Sequence, residues 1–189
     1  FAVSTSGSIG RQRDLNIGIR DDGKWWARMH DGGHRVFRGT LPEPEPGEWY
    51  HLAVVLGGED RGLYLDGKRK ATWDEFSGKK GPWQNDIHFG YSPDENRDWH
   101  GAIGDVRFYD RNLSSSEVRA VAGDDSEQTV DDGLVGHWPL NEGMGNIAYD
   151  RTEGKHHGHI SSGTKWIKPS PELAVEPSEL PLLVRHNVY

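Results

Sequence analysis

Residues 63–73 read LYLDGKRKATW, and the Asp66-Gly67 pair inside them constrains the fold more than any other feature. An Asp-Gly loop between two strand-like runs takes positive φ at both positions, so it closes an antiparallel β-hairpin. The run before it, WYHLAVVL (49–56), alternates in a telling way. Tyr50, Leu52, Val54 and Leu56 share one face; Trp49, His51, Ala53 and Val55 share the other. Both faces are largely apolar, which predicts a strand held between two layers. Lys68, Arg69 and Lys70 then mark a solvated edge, a guard against edge-to-edge pairing.

The rest of the chain repeats this pattern of short strands and turns. DLNIGIR (14–20) alternates Leu15, Ile17 and Ile19 against polar or Gly neighbours. KWWARMH (24–30) and HRVFRG follow, so residues 1–40 suggest three strands. LPEPEPGE (41–48) is a loop, because proline lacks the ladder donor. DIHFGY (86–91) is a strand and SPDENRDWHG (92–101) a polar loop. In AIGDVRFYD (102–110), Val106 and Phe108 share one face, and Ile103, Asp105, Arg107 and Tyr109 the other. One helix is predicted over 112–123. Ser114 is its N-cap, Glu117 completes a capping box, Leu113 and Val118 form a staple, and Gly123 ends it. Residues 124–133 read as an acidic linker. Segment 134–168 has strands at LVGHWPL and HGHISS between Gly-rich turns. The tail, 169–189, is Pro-punctuated and reads as an extended strap or a lead into a further domain.

Many short strands, 25 Gly, 10 Pro and a single brief helix predict an all-β fold. The expected architecture is a two-layer antiparallel β-sandwich or jelly roll. A net charge of −8 argues against nucleic acid or an anionic membrane as partner. No apolar run approaches the roughly 20 residues that span a bilayer. The absence of cysteine excludes disulfides and thiolate metal sites. The opening FAVSTSGSIG has neither Met nor a basic leader, and reads as an internal piece of a longer protein.

Three stretches, in order, resemble the laminin-G-like domains of the concanavalin A-like lectin/glucanase superfamily: GEWYHLAVVL…GLYLDGKRKATW, IHFGYS and GAIGDVRFYDRNLSSSEV. Segment 133–166 is similar to the opening of such a domain, although it follows the hairpin instead of preceding it. Residues 1–123 are then the sandwich. The 134–168 segment either begins a second copy, the preferred reading, or completes the first sandwich in a rearranged way. A sandwich lacking a central strand would leave unpaired backbone groups, to be met by another segment or chain.

The resemblance implies a non-catalytic binding module of a larger, secreted protein, extracellular or at the cell envelope, with a polysaccharide, a glycan or another domain of its assembly as partner. The alternative is a structural accessory domain docking against an enzyme or an assembly. The superfamily's hydrolases set carboxylates at alternate strand positions, and no strand here does so; acids such as Glu75 and Glu95 lie in loop-like stretches. Trp83, Tyr91, Arg97, Trp99 and His100 are the candidate ligand residues, since aromatic faces pack on sugars and Arg or His bonds hydroxyls. Eight Trp also have a core to fill, and Trp49, Trp138 and at least one of Trp25 and Trp26 are assigned to it. Many family members bind calcium, which implies a site at Glu142, Asp150 and Asp105. Gly104 stands where the family usually has Asp, so Asp105 faces away from the Val106 side. His156, His157 and His159, with His137, form a second possible metal cluster.

Overall fold

The computed structural model describes residues 3–6, 14–19, 22–30, 34–36, 41–73, 86–92, 97–123, 129–167 and 182–188. The first strands are β1 (Val3–Ser6), β2 (Asp14–Ile19), β3 (Trp25–His30), β4 (His34–Val36) and β5 (Trp49–Val55). Next come β6 (Gly62–Leu65), β7 (Lys68–Ala71), β8 (Asp86–Phe89), β9 (Tyr91–Ser92), β10 (Arg97–Asp98) and β11 (Gly101–Tyr109). Helix α1 (Ser115–Ala122) precedes β12 (Leu134–Trp138), β13 (Ile147–Ala148), β14 (Gly158–His159) and β15 (Leu182–Val188).

Two sheets face each other. One has the order β4-β3-β2-β1-β8 and the other β12-β11-β15-β5-β6-β7. The Asp66-Gly67 turn has φ of 49° and 70°, as the hairpin reading requires, and β7 with its cationic run lies at the sheet edge. Asp66 also caps the hairpin: His51 N donates to its Oδ1 at 2.9 Å, and its own N–H donates to His51 O at 2.8 Å. A Cβ on Gly67 would lie 3.2 Å from Arg119 Cα of α1, so glycine serves both the turn and the close helix approach.

β5 is covered on both faces, as its sequence predicts. Leu52 and Val54 pack with Leu15, Ile17, Trp25, Leu41, Leu63 and Leu65 between the sheets. Ala53 and Val55 pack outward with Tyr64, Tyr109, Leu113 and Val118 under the helix. Each fully buried aliphatic side chain here contributes about 1.5–3 kcal/mol. The helix carries the whole predicted cap: Ser114 Oγ accepts from Glu117 N, Glu117 Oε2 accepts from Ser114 N, and Gly123 ends it at φ 92°.

Several expectations change. Residues 1–40 hold four strands, because β1 inserts between β2 and β8. The stretch read as a polar loop contains the β9–β10 hairpin. Trp25, Trp26 and Trp138 are buried, but Trp49, assigned to the core, is 37% exposed at the start of β5. The stretch read as a linker returns to the core where it is described: Val130 is buried, and its carbonyl accepts from Tyr109 Oη at 2.8 Å.

Strand β11 departs from simple alternation. Gly104 opposes Arg185 and Arg107 opposes Asn187, so three steps on β11 match two on β15. The extra residue is a β-bulge, and Asp105 carries its positive φ of 49°. The bulge reverses parity, so Ile103 joins Val106 and Phe108 against Trp138 instead of sharing a face with Arg107. Aspartate tolerates the left-handed conformation better than a branched residue would.

Where it is described, to residue 167, the segment read as a second copy adds to the first sandwich: β12 pairs with β11 in the larger sheet, and Trp138 and Ala148 pack with Val106. β13 and β14 form a small hairpin beside it. The strap forms a central strand where it is described, since β15 sits between β11 and β5. Its pairings with both are parallel, whereas the other pairings among the described strands are antiparallel. Among the described residues no helix is long and apolar enough to cross a membrane.

Candidate functional site

The ligand residues expected from sequence gather around the β9–β10 hairpin. Tyr91 pairs with Asp98 and Ser92 with Arg97, and Trp99 N donates to Gly90 O at 2.9 Å. The pairing sets Tyr91 beside residues 97–98 in the backbone, with Trp99 and His100 directly after them. Trp83, Glu75 and Glu95 lie outside the described residues. Tyr91 is 37% exposed, and His88 meets its ring edge-on at 6.3 Å. His100 and Asp98 are also exposed. Trp99 has a different role. It stacks on Trp25 at 6.2 Å and 24°, and Trp25 in turn meets Tyr50 edge-on at 5.6 Å. Its indole N–H is buried without an acceptor. Trp99 thus forms the floor of the rim, and Tyr91 offers its open aromatic face.

The expected calcium acids do not converge. Asp150 is buried, and both its oxygens are committed. Oδ1 accepts from His137 N and Thr152 N, each at 2.9 Å. Oδ2 accepts from Thr152 Oγ1 and His156 N, again at 2.9 Å. Burial alone would raise its pKa, but these bonds, led by that from His137 N, hold it below the ordinary carboxylate value. Asp150 is the organising centre of the loop that joins β13 to β14. Glu142 Oε1 accepts from Tyr149 N at 3.0 Å and lies 3.9 Å from Arg151 Nη2, while Oε2 is buried without a donor.

Asp105 faces a different set of groups. Arg107 donates to it through Nε at 2.9 Å and Nη2 at 3.0 Å, and His137 Nε2 lies 3.1 Å from Oδ1. Burial pushes the Asp105 carboxyl up, yet the bonds to His137 and Arg107 bring it below its usual value. His137 links Asp105 to the Asp150 loop: its side chain meets one acid and its main chain the other. Of the histidine cluster, His156, His157 and His159 are all exposed, and His157 Nδ1 accepts from Asp150 N at 3.1 Å. Among the described residues no three His, Asp or Glu side chains form a group able to hold a metal ion.

The two facing sheets and their hairpin agree with a comparison against known families. A laminin-G family model, described as concanavalin A-like lectin/glucanases superfamily, matches residues 1–119. The chain belongs to that superfamily. No curated protein and no solved structure matches the chain significantly. The matched part of this laminin-G-like sandwich ends inside α1, so β12 to β15 lie beyond it. Two features of the laminin-G-like site were not read from sequence. His88 stands beside Tyr91, although their spacing within one apparent strand gave no sign of a break at Gly90, whose φ is 79°. The bulge at Asp105 is the other, although alternation already set Asp105 and Arg107 on one face, where Arg107 closes on the carboxylate.

Proposed function

We propose that this laminin-G-like domain is a non-catalytic binding module that holds a glycan or polysaccharide at the β9–β10 rim, within a larger extracellular or cell-envelope protein. The observation that carries the reading is the exposed Tyr91 ring, braced edge-on by His88, on a hairpin that also bears Arg97 and Asp98 and is followed by the exposed His100. An open aromatic face with His88 beside it and Asp98 as its cross-strand partner suits a sugar's apolar face and its hydroxyls. The reading is non-catalytic because the strand sequences lack carboxylates at the alternate positions that glycoside hydrolysis uses.

The test is retention on immobilised polysaccharides and a glycan array, with calcium and with chelator. Retention on one glycan class, lost in Tyr91→Ala and His100→Ala while both variants keep the parent melting temperature, is the expected result. Equal retention in calcium and chelator is expected too, because Asp105 and Asp150 already hold protein donors. Calcium-dependent retention would instead assign the buried Glu142 oxygen to a metal. A second reading, a structural accessory domain, is favoured by the exposure of Met144, Ile147 and Ile167 on the 134–168 segment. Absence of glycan retention in every condition would move the reading there.

A further inference from the structure

The part of the chain beyond the family match carries a second exposed aromatic ring. In IAYDR (147–151) burial alternates: Ala148 and Asp150 are buried, while Ile147, Tyr149 and Arg151 are exposed. A period of two sets these three on one side of the backbone. The buried side holds that row in place. Asp150 accepts four hydrogen bonds, from His137, Thr152 and His156, and Arg151 N donates to His137 O at 2.8 Å. A backbone tied in this way is already ordered, so a ligand that binds it does not have to order it.

Three side chains meet on the open side. Arg151 Cζ lies 5.9 Å from the centre of the Tyr149 ring, and the His157 ring meets Tyr149 edge-on at 5.1 Å and 74°. Tyr149 is 42% exposed and the Arg151 side chain 54%. His157 Nδ1 accepts from Asp150 N, so the proton of the neutral ring sits on Nε2, the nitrogen turned away from Asp150. That leaves a fixed donor on an exposed ring. The carboxylate paired with Arg151 is Glu142, 3.9 Å away and too far for a hydrogen bond; its Oε1 already accepts from Tyr149 N. The guanidinium therefore keeps its planar fork of donors open to an anion. The chain as a whole carries −8, but residues 151–159 reverse that sign, with Arg151, Lys155 and three histidines against Glu153 alone. Salt limits the reach of an exposed charge to about 8 Å, so this local set governs what binds here.

We infer that Tyr149, Arg151 and His157 form a second binding site, and that its ligand is a carboxylated sugar, a uronic acid unit of a polysaccharide. The Arg151 fork takes the carboxylate through two parallel N–H···O bonds. The exposed part of the Tyr149 ring, with Ile147 next in the row, packs on the apolar C–H face of the sugar, and His157 Nε2 donates to a hydroxyl. An acidic peptide would satisfy the fork but has no ring to lay on Tyr149. The site shares no residue with the β9–β10 rim and stands whether or not that rim holds a glycan.

The test is isothermal titration of the full chain with trigalacturonate, its methyl ester and triglutamate, in chelator and about 0.1 M salt. The acid should bind. The ester, which keeps the ring without the charge, and the peptide, which keeps the charge without the ring, should each bind about tenfold more weakly. Tyr149→Ala and Arg151→Gln should each weaken the acid about tenfold at an unchanged melting temperature. Arg151→Lys keeps the charge without the fork, and should also weaken it. Tyr91→Ala and Lys165→Gln, the latter removing an exposed cation elsewhere on the segment, should leave it unchanged. Absence of binding, equal binding of acid and ester, or parental affinity in Tyr149→Ala and Arg151→Lys would overturn the proposal. So would equal binding of triglutamate, which would make the site one for acidic peptides. A loss in Lys165→Gln equal to that in Arg151→Gln would reduce it to general charge attraction. A loss in Tyr91→Ala but not in Tyr149→Ala would move the acid to the rim.

Discussion

Replacing Asp150 by asparagine probes the loop that sequence alone would assign to a metal. The change keeps the shape of the side chain, removes its charge and turns one acceptor oxygen into an NH2 group. The four donors divide evenly: two main-chain N–H groups on Oδ1, and His156 N–H with the Thr152 hydroxyl on Oδ2. The amide nitrogen therefore faces at least one main-chain donor that cannot turn away, whereas the Thr152 hydroxyl can turn and accept from it. A buried donor left unsatisfied costs about 1–3 kcal/mol, and bonds to a charged acceptor lie at the upper end. The variant should lose about 3 kcal/mol, which for a chain of this size lowers Tm by roughly 6–12 °C. Thermal unfolding followed by circular dichroism at pH 7 measures it. The pH dependence separates charge from shape. Asp150 has its folded pKa depressed, so the stability it adds is full above the ordinary carboxylate pKa of about 3.9 and is lost as pH falls through the lower folded value. The gap between parent and variant should be level from pH 7 to about 5 and should narrow below about 4. A Tm change under about 2 °C at pH 7, or a gap that stays constant on acidification, would refute the reasoning.

Trp99→Ala removes a ring stacked on Trp25 and should cost about 2–4 kcal/mol in urea unfolding, whereas Tyr91→Ala should leave the midpoint within error. Glu117→Gln breaks the Arg111 fork, whose arms are 2.7 and 3.1 Å, and should cost about 1 kcal/mol after allowance for solvent screening. Arg111 and the Ser114 bonds lower the Glu117 pKa to about 2, against the pull of its partial burial. Its contribution therefore holds at pH 5 and fades only as pH falls toward 2; a parent-to-variant gap that closes near pH 5 would contradict this. Gly62→Ala places a Cβ against the carbonyl oxygen of Ala71 across the β6–β7 ladder, and a loss of about 1–3 kcal/mol in calorimetry is expected.

What could be read from sequence was what local pattern controls. The Asp66-Gly67 turn, the two apolar faces of β5 and the Ser114–Glu117 box depend on residues a few positions apart, and each appears as expected. The Asp105 bulge was hidden because a single inserted residue leaves composition unchanged while reversing the parity of Ile103. The resemblance offered Asp150 and Glu142 as calcium ligands; sequence does not show that each also accepts from a main-chain N–H of its own segment, as both do. The rim was legible only as a set of residue types. Which aromatic ring faces outward depends on Trp25, far away in sequence, against which Trp99 packs. The role of β15 was the least accessible, since LLVRHNV gives no sign of which strands it joins.

The place of β15 sets the order in which the molecule can be built. Trp49 and Leu183, paired in the sheet, emerge from the ribosome at widely separated times. Until Leu182–Val188 has been made, β5 and β11 are two bare edges, and the larger sheet cannot close. Contacts of such long range make folding slow. Through that interval the half-formed sheet is open to pairing with neighbouring chains, so refolding yield should fall steeply with protein concentration well before native stability is affected.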